Sequence, residues 1–353
     1  MFILDILPHT LKFIKPAKTS RGEYAEKTAW ILVLRDEKGS FGLGEASPLH
    51  DLSVDGKADY EAIVRQLGPL SQGDLLDLLD RWAPGGPEAL PALRFALHCA
   101  MRHYKSFDDT LGYAGSFSKG DSAIAINGLV WMNELDAMWE EAEAKFRSGY
   151  SCLKFKIGAH DFDAECRLLE RARKMGNAFQ LEIRVDANGA FNGYEAWEKL
   201  RELSRFELHS IEQPIAAGQG EMMAELCAQS PIDIALDEEL IGLHAQKHGF
   251  YIQQIGARYL ILKPTLLGGL DLASEWVSLA RKEGMKWWAT SALEGNIGLS
   301  AIAQWVSSFD LELPQGLGTG SLFVENFPAQ TRLEGPSMRF NPLAPLIPHP
   351  VAQ

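Results

Sequence analysis

From about residue 120 onward the chain alternates short apolar runs with longer amphipathic stretches. The runs are "SAIAINGLV", "CLKFKI", "LEIRVD", "LHSIE", "IDIALD", "RYLILK", "MKWWAT" and, more faintly, "LELPQG". Their β-branched and aromatic content predicts strands. Between them, segments such as "ELDAMWEEAEAKFRSG" and "DFDAECRLLERARKMGN" space apolar residues by three or four and carry Gly near their ends, as helices do. The unit recurs roughly every 25 to 30 residues, the rhythm of stacked βαβ units on a parallel sheet. Eight runs with seven intervening helices predict an α/β fold, a closed (β/α)7β barrel lacking its last helix. An open doubly wound sheet is the alternative, but no G-x-G-x-x-G follows the first run.

The first part of the chain has a different pattern. "FILDILPHTLKFIK" and "AEKTAWILVLRD" predict long strands, "GSFGLGEASPL" a turn and short strand, and "DYEAIVRQLG" and "ALPALRFALHCAMRHY" helices. We therefore expect an α+β capping domain over 1–118 and a catalytic barrel over 119–324. The Pro-rich tail, 325–353, is expected to pack back on the capping domain. The polar stretch between the first two strands, with Ser20 and Arg21, suits either a solvated hairpin or a lid over a barrel site.

Composition narrows the class. The chain has 353 residues, 46% hydrophobic and 23% charged, ordinary for a globular protein with a sizeable core. A formal charge of -13 opposes nucleic acid and anionic membrane as bulk partners. Cys99, Cys152, Cys166 and Cys227 form no C-x-x-C pair and predict reduced, buried thiols in a cytoplasm-like compartment. "MFILDILPHTLKFIKP" lacks the parts of a signal peptide, and no uncharged run is long enough to span a bilayer, so neither secretion nor a membrane span is expected.

The strand ends carry the chemistry. Lys154 and Lys156 lie on the second barrel run, Asp186 on the third, Glu212 on the fourth, Asp237 on the fifth and Lys263 on the sixth. A lone K-x-K reads as the solvent face of an edge strand. Barrel strands are buried on both faces, however, so these charges must be paired or bind a metal, and the carboxyl ends of barrel strands form the active-site face. Three converging carboxylates repel one another without a cation, and oxygen-only ligands select a hard ion, Mg²⁺ in preference to Zn²⁺. His209, three residues before Glu212, is expected to face the helices as a structural residue. Lysine titrates too high to be a base near neutrality. A like-charged neighbour and a metal both disfavour its protonated form, so Lys154 is expected to lower the proton affinity of Lys156. A lysine base beside Mg²⁺ is equipment for removing a proton α to a carboxylate, an arrangement familiar from enolase-type enzymes.

"LKFKIG", "RVDANGAF", "IEQP", "LDEEL" and "LILKPTLLGG" occur in that order and at fitting separations. In these motifs the chain resembles the enolase superfamily, muconate-lactonising-enzyme subgroup. Within it, "TSRGEYAEKTAW", "GLGEASPL", "TSALEGNIGL" and "QGLGTGSLF" are similar to the o-succinylbenzoate synthases. One departure is the D-E-E of 237–239, where many relatives have D-E-S. The resemblance implies that Asp186, Glu212 and Asp237 bind Mg²⁺, with Mn²⁺ as a possible substitute. It implies that Lys156 removes the α proton of 2-succinyl-6-hydroxy-2,4-cyclohexadiene-1-carboxylate and then assists loss of hydroxide, as a hydro-lyase of menaquinone biosynthesis. Lys263 is implied to stabilise the enediolate. Asn188 and Glu238 are implied to support the metal ligands, and Ser291 with the backbone of Gly316 to hold the substrate. The alternatives are an N-acylamino acid racemase or dipeptide epimerase of the same superfamily, a Schiff-base aldolase using Lys263, or a non-catalytic barrel. Oligomeric state is not legible.

Overall fold

The computed structural model describes residues 1–19, 22–106 and 110–344. Ser20, Arg21 and the end of the tail lie outside the described residues.

The amino-terminal unit is an antiparallel sheet backed by helices. Strands β1 (Phe2–Thr19), β2 (Gly22–Asp36) and β3 (Phe41–Ala46) pair in that order. Helices α1 (Tyr60–Arg65), α2 (Gln72–Arg81) and α3 (Pro91–Lys105) follow. The hydrophobic pattern did not predict α2, although Ser71 and Asp74 form a reciprocal capping box at its start. Helix α3 lies close on β3 because the strand offers glycines where the helix passes. A β-carbon at Gly44 would fall 1.9 Å from the Ala96 carbonyl oxygen, and one at Gly42 2.0 Å from that of Ala100. Ala92, Ala96 and Ala100 complete this small-residue contact, and all three are fully buried.

The barrel begins with a split strand. Where one run was expected over 122–130, β4 (Ala123–Ala125) and β5 (Gly128–Val130) are separate pieces. β4 pairs with the tail hairpin, β12 (Thr331–Glu334) and β13 (Ser337–Phe340), while β5 pairs with the next barrel strand. The tail is therefore shared: Phe327 joins Ile31, Val33 and Leu43 of the capping sheet, whereas its hairpin extends β4 and places Phe340 against Phe117. β4 has free backbone groups on one side, and these take up the hairpin.

After β5 come α4 (Leu135–Arg147), β6 (Cys152–Lys156), α5 (Phe162–Met175), β7 (Glu182–Asp186), α6 (Gly193–Leu203), β8 (Ser210–Glu212) and α7 (Gly220–Gln229). Then follow β9 (Ile234–Leu236), α8 (Ala245–Ile255), β10 (Tyr259–Leu262), α9 (Pro264–Leu267), α10 (Leu270–Lys282), β11 (Lys286–Ala289) and α11 (Asn296–Val306). β5 to β11 form one parallel sheet in sequence order. Its edges meet through the faint eighth run: Gln315 bridges Ile126 and Gly316 bridges Thr290, both in parallel. The Gly316 amide donates to the Ala289 carbonyl at 2.7 Å, and the Asn127 amide to that of Gln315 at 3.0 Å. The eighth strand is thus two residues long and no helix follows it among the described residues, in keeping with a (β/α)7β barrel capped by an α+β unit.

The two units are joined by charge as well as by apolar contact. Arg94 on α3 donates to both carboxylate oxygens of Asp271 on α10, each at 2.9 Å, and to the carbonyls of Gly268 and Leu79 at 2.7 Å. His209 does not face the helices. Its ring packs on Tyr259 and Trp288, centroids 4.8 and 6.2 Å away, on the barrel floor. It precedes β8, so strand alternation does not govern where it points. No described helix is long and apolar enough to cross a membrane.

Candidate active site

Parallel register brings the charged strand ends to one level. Lys156 pairs with Asp186 across β6 and β7, and Asp186 with Glu212 across β7 and β8. Asp237 and Lys263 follow directly on β9 and β10. Oxygens of Asp186, Glu212 and Asp237 lie within 4.8 Å of one another, and all three residues are buried. No other such group of metal-ligating side chains occurs among the described residues.

The lysines surround these carboxylates. Lys154 Nζ lies 2.8 Å from Asp186 and 2.6 Å from Glu212. Lys156 Nζ donates to Asp186 Oδ2 at 2.6 Å and to Asn188 Oδ1 at 2.7 Å, while Lys263 pairs with Asp237 from the other side. Asn188 in turn donates to Glu238 Oε1 at 2.9 Å. Burial opposes ionisation of Asp186, but the charges of Lys154 and Lys156 outweigh it and hold the carboxyl far below its usual range. Glu212 moves the other way, pushed up by burial and by the charge of Asp186. Burial also acts to lower Lys154, yet Asp186 and Glu212 prevail and raise it, so Lys154 is a held cation beside Lys156. Lys263 is raised in the same manner by Asp237.

This donor set fits a hard divalent cation. It consists of carboxylate oxygens only, with no nitrogen or sulfur among them, and its mutual repulsion is what such an ion relieves.

Backbone strain collects around the site. Asn188 (φ 45°) and Gln213 (φ 41°) each lie within two residues of one of the three buried carboxylates, and Leu293 (φ 64°) stands on the loop after β11. Left-handed backbone costs a side-chain-bearing residue about 1–2 kcal/mol, so the surroundings must hold it. Gln213 is held by its own side chain, whose Oε1 accepts from the amides of Asp237 and Glu239 at 3.2 Å each. The D-E-E departure acquires a role here: Glu239 is buried, accepts from the Gly218 amide at 3.1 Å and from the Tyr251 hydroxyl, and so ties the loop after β8 to the loop after β9.

Above the charges opens a cleft, lined by Lys154, Lys156, Asn188, Glu238 and Lys263 below and by Tyr24, Leu49, Leu52, Leu129, Trp131 and Leu293 around it. Ser291 and Gly316 line it too, but the groups expected to hold substrate are engaged. The Ser291 hydroxyl donates to Glu294 Oε2 at 2.6 Å and accepts from the Leu293 amide at 3.0 Å, and the Gly316 amide closes the barrel. Gly316 matters through its size, since a β-carbon there would fall 2.5 Å from Thr290 Oγ1. Three residues that the sequence did not single out present free polar atoms instead. Asn127 Oδ1, Thr290 Oγ1 and Thr319 Oγ1 are buried, line the cleft and make no hydrogen bond within the protein.

The sequence family described as enolase C-terminal domain-like matches residues 137–333, more than half the chain. The chain belongs to the enolase superfamily. A curated relative, the o-succinylbenzoate synthase of Desulfotalea psychrophila, is 44% identical over 92% of this chain and 95% of its own length. The crystal structure of MenC from Desulfotalea psychrophila superposes with a TM-score of 0.82 at 40% identity, covering 96% of this chain and 99% of that one. The N-succinyl Arg/Lys racemase of Bacillus cereus shares the fold, with a TM-score of 0.83 at 19% identity over 100% of this chain and 96% of that chain. Among superfamily members this chain thus has relatives of two activities on one architecture.

Proposed function

We propose that the chain is an o-succinylbenzoate synthase, a carbon–oxygen lyase. It converts 2-succinyl-6-hydroxy-2,4-cyclohexadiene-1-carboxylate to 2-succinylbenzoate and water in menaquinone biosynthesis. The observation that carries this is a lysine on each side of three buried carboxylates, beneath a cleft walled by leucines and a tryptophan. The identity with the synthase relative supports the same choice.

Asp186, Glu212 and Asp237 would hold Mg²⁺, which supplies positive charge for the substrate carboxylate as negative charge builds on it during proton removal. The chain's own residues do the rest. Lys156 takes the α proton as the base: the C–H bond breaks and its electron pair enters the ring carboxylate system. The same ammonium then gives a proton to the departing hydroxyl, so the C–O bond breaks on the same face and water leaves. Asn188, on Lys156 Nζ, aims it, and Glu238 fixes Asn188. Lys154 stays charged and faces the developing anion with Lys263 on the opposite side. The leucine and tryptophan walls suit a six-membered ring, while the Thr290 and Thr319 hydroxyls can donate hydrogen bonds to its succinyl arm.

A second reading has its own observation. Lys156 and Lys263 flank the carboxylates from opposite sides, which is also what a two-base racemisation of an N-acylamino acid requires. The test supplies the cyclohexadiene acid with Mg²⁺ and follows ring aromatisation by ultraviolet absorbance, beside an N-succinylamino acid in D₂O. Aromatisation is expected; α-deuteration without it would assign the racemase.

A further inference from the structure

One buried charge cluster takes no part in the chemistry above. Lys27, on β2 of the capping unit, is 8% exposed, and its ammonium reaches across to the barrel. It donates to the carbonyls of Ser47 and Leu293 at 3.0 Å and of Ala292 at 3.4 Å. The charged groups facing it are Glu294, on the loop after β11, and Glu45, on β3. Neither carboxylate is idle. Glu45 accepts from the amides of Gly295 and Gly298 at 2.5 and 2.8 Å, so a capping-unit residue caps the first turn of α11. Glu294 accepts from Thr265 Oγ1 at 2.5 Å, Ser291 Oγ at 2.6 Å and the Ala292 amide at 2.8 Å.

Two segments of the cleft wall converge on this ammonium. Ser47 opens the capping loop that carries Leu49 and Leu52, and Ala292 and Leu293 form the barrel side of the same wall. Leu293 adopts φ 64°, which its β-carbon disfavours. Its amide is taken by Ser291 and its carbonyl by Lys27, so the strained residue is gripped at both ends.

We propose that Lys27 is a positioning residue: with Glu45 and Glu294 it forms a charge clamp that holds the capping loop and the loop after β11 together as one wall of the substrate cleft. This rests on the cleft being the substrate site, as argued above. Lys27 touches no reacting atom, so it acts on binding and leaves the proton transfers to Lys156. Its grip on all three carbonyls requires the charged form, since a neutral amine has only two N–H groups to donate. Burial lowers its proton affinity, Glu294 and Glu45 oppose this in part, and the result is a pKa of about 8. The clamp is therefore closed near neutrality and opens as pH rises through that value.

Steady-state kinetics of wild type and Lys27→Met from pH 6 to 9.5 test this. In wild type KM should be flat near neutrality and climb above pH 8 toward a plateau about tenfold higher, with no matching break in kcat. Lys27→Met should show KM raised about tenfold at pH 7, kcat within about twofold, and the alkaline KM limb gone. A wild-type KM in Lys27→Met, or an alkaline limb that survives the substitution, would overturn the proposal. Where Lys27→Met does not fold by circular dichroism, amide exchange of the wild-type protein without substrate decides the matter. Beyond the intrinsic rate change, Ala292, Leu293 and Gly295 should lose protection between pH 7 and 9, and unchanged protection refutes the clamp. If wild type fails to turn over the cyclohexadiene acid, the functional assignment fails, and the exchange measurement, needing no substrate, still tests the clamp.

Discussion

Replacing Lys156 by Ala separates the two jobs a lysine beside a metal site can do. Its Nζ is 2.6 Å from Asp186 Oδ2 and 2.7 Å from Asn188 Oδ1, and it is one of two ammonium groups on the same carboxylate oxygen, Lys154 lying 2.8 Å away. As the group that both accepts the α proton and returns one to the leaving hydroxyl, its loss removes acid–base assistance from two steps. One such contribution is about 10²–10⁴-fold and the highest barrier sets the rate, so kcat/KM should fall by about 10²–10⁴, a rise of about 2.7–5.4 kcal/mol in the activation barrier. Metal binding should respond in the opposite direction. An ammonium at contact distance competes with a cation for Asp186, with Coulomb energy of about 4 kcal/mol at 4 Å and moderate dielectric. Most of that is offset by the lost counter-charge. Mg²⁺ affinity in Lys156→Ala should therefore be unchanged to about tenfold tighter, a gain of up to about 1.4 kcal/mol. Isothermal calorimetry reads the binding and ultraviolet absorbance the turnover. Retained turnover, or affinity weakened more than about tenfold, would refute the reasoning, since the second outcome makes Lys156 an organiser of the ligands instead of the base.

Chelation by EDTA should silence the enzyme and Mg²⁺ or Mn²⁺ restore it, with borohydride plus substrate leaving Lys263 unmodified by mass spectrometry; a trapped adduct would instead assign a Schiff-base aldolase. Asp271→Asn strips the counter-charge from Arg94, which is 5% exposed, while Asp271 itself is 39% exposed, so the loss should be about 2 kcal/mol by urea unfolding, below the cost for a fully buried pair. Burial opposes ionisation of Asp271, but hydrogen bonds from Arg94 and the charges of His98 and Arg94 hold its pKa at about 2. Its contribution is therefore present above the ordinary carboxylate range and lost as pH falls toward 2. His98 and His209 are lowered to about 4, chiefly by burial, so the unfolded chain takes up protons near 6.5 that the folded chain refuses until about 4. Stability should fall as pH falls across that window, by at most about 3.4 kcal/mol for each histidine, and His98→Gln should flatten the slope of the melting temperature against pH. Gly44→Ala would drive a β-carbon to within 1.9 Å of the Ala96 carbonyl oxygen, and should lower the melting temperature by about 4 °C for a strain of about 3 kcal/mol; an unchanged melt would mean that α3 shifts freely on β3.

What was legible in the sequence follows from how far apart the interacting residues stand. The three buried carboxylates, Lys156 and Lys263 each end or nearly end an apolar run, and parallel pairing in sequence order carries neighbouring run ends to one level, as Lys156 with Asp186 and Asp186 with Glu212. A local pattern plus one topological rule therefore sufficed for them. The rule weakens where pairing is short: the eighth strand is two bridged residues, Gln315 and Gly316, and left only a faint run. It fails just outside a strand, where His209 turned to the barrel floor. The clamp of Lys27, Glu45 and Glu294 depends on contacts spanning 250 and 266 residues between two folding units, for which no periodicity exists. Its only trace was a charge inside an otherwise buried strand, Glu45 between Gly44 and Ala46 in "GLGEASPL". An ionisable side chain at zero exposure must find partners. Here they are the amides at the start of α11, so a motif useful for recognising relatives has a physical cause: it lets a capping strand terminate a barrel helix, and the loop so fixed becomes one wall of the cleft.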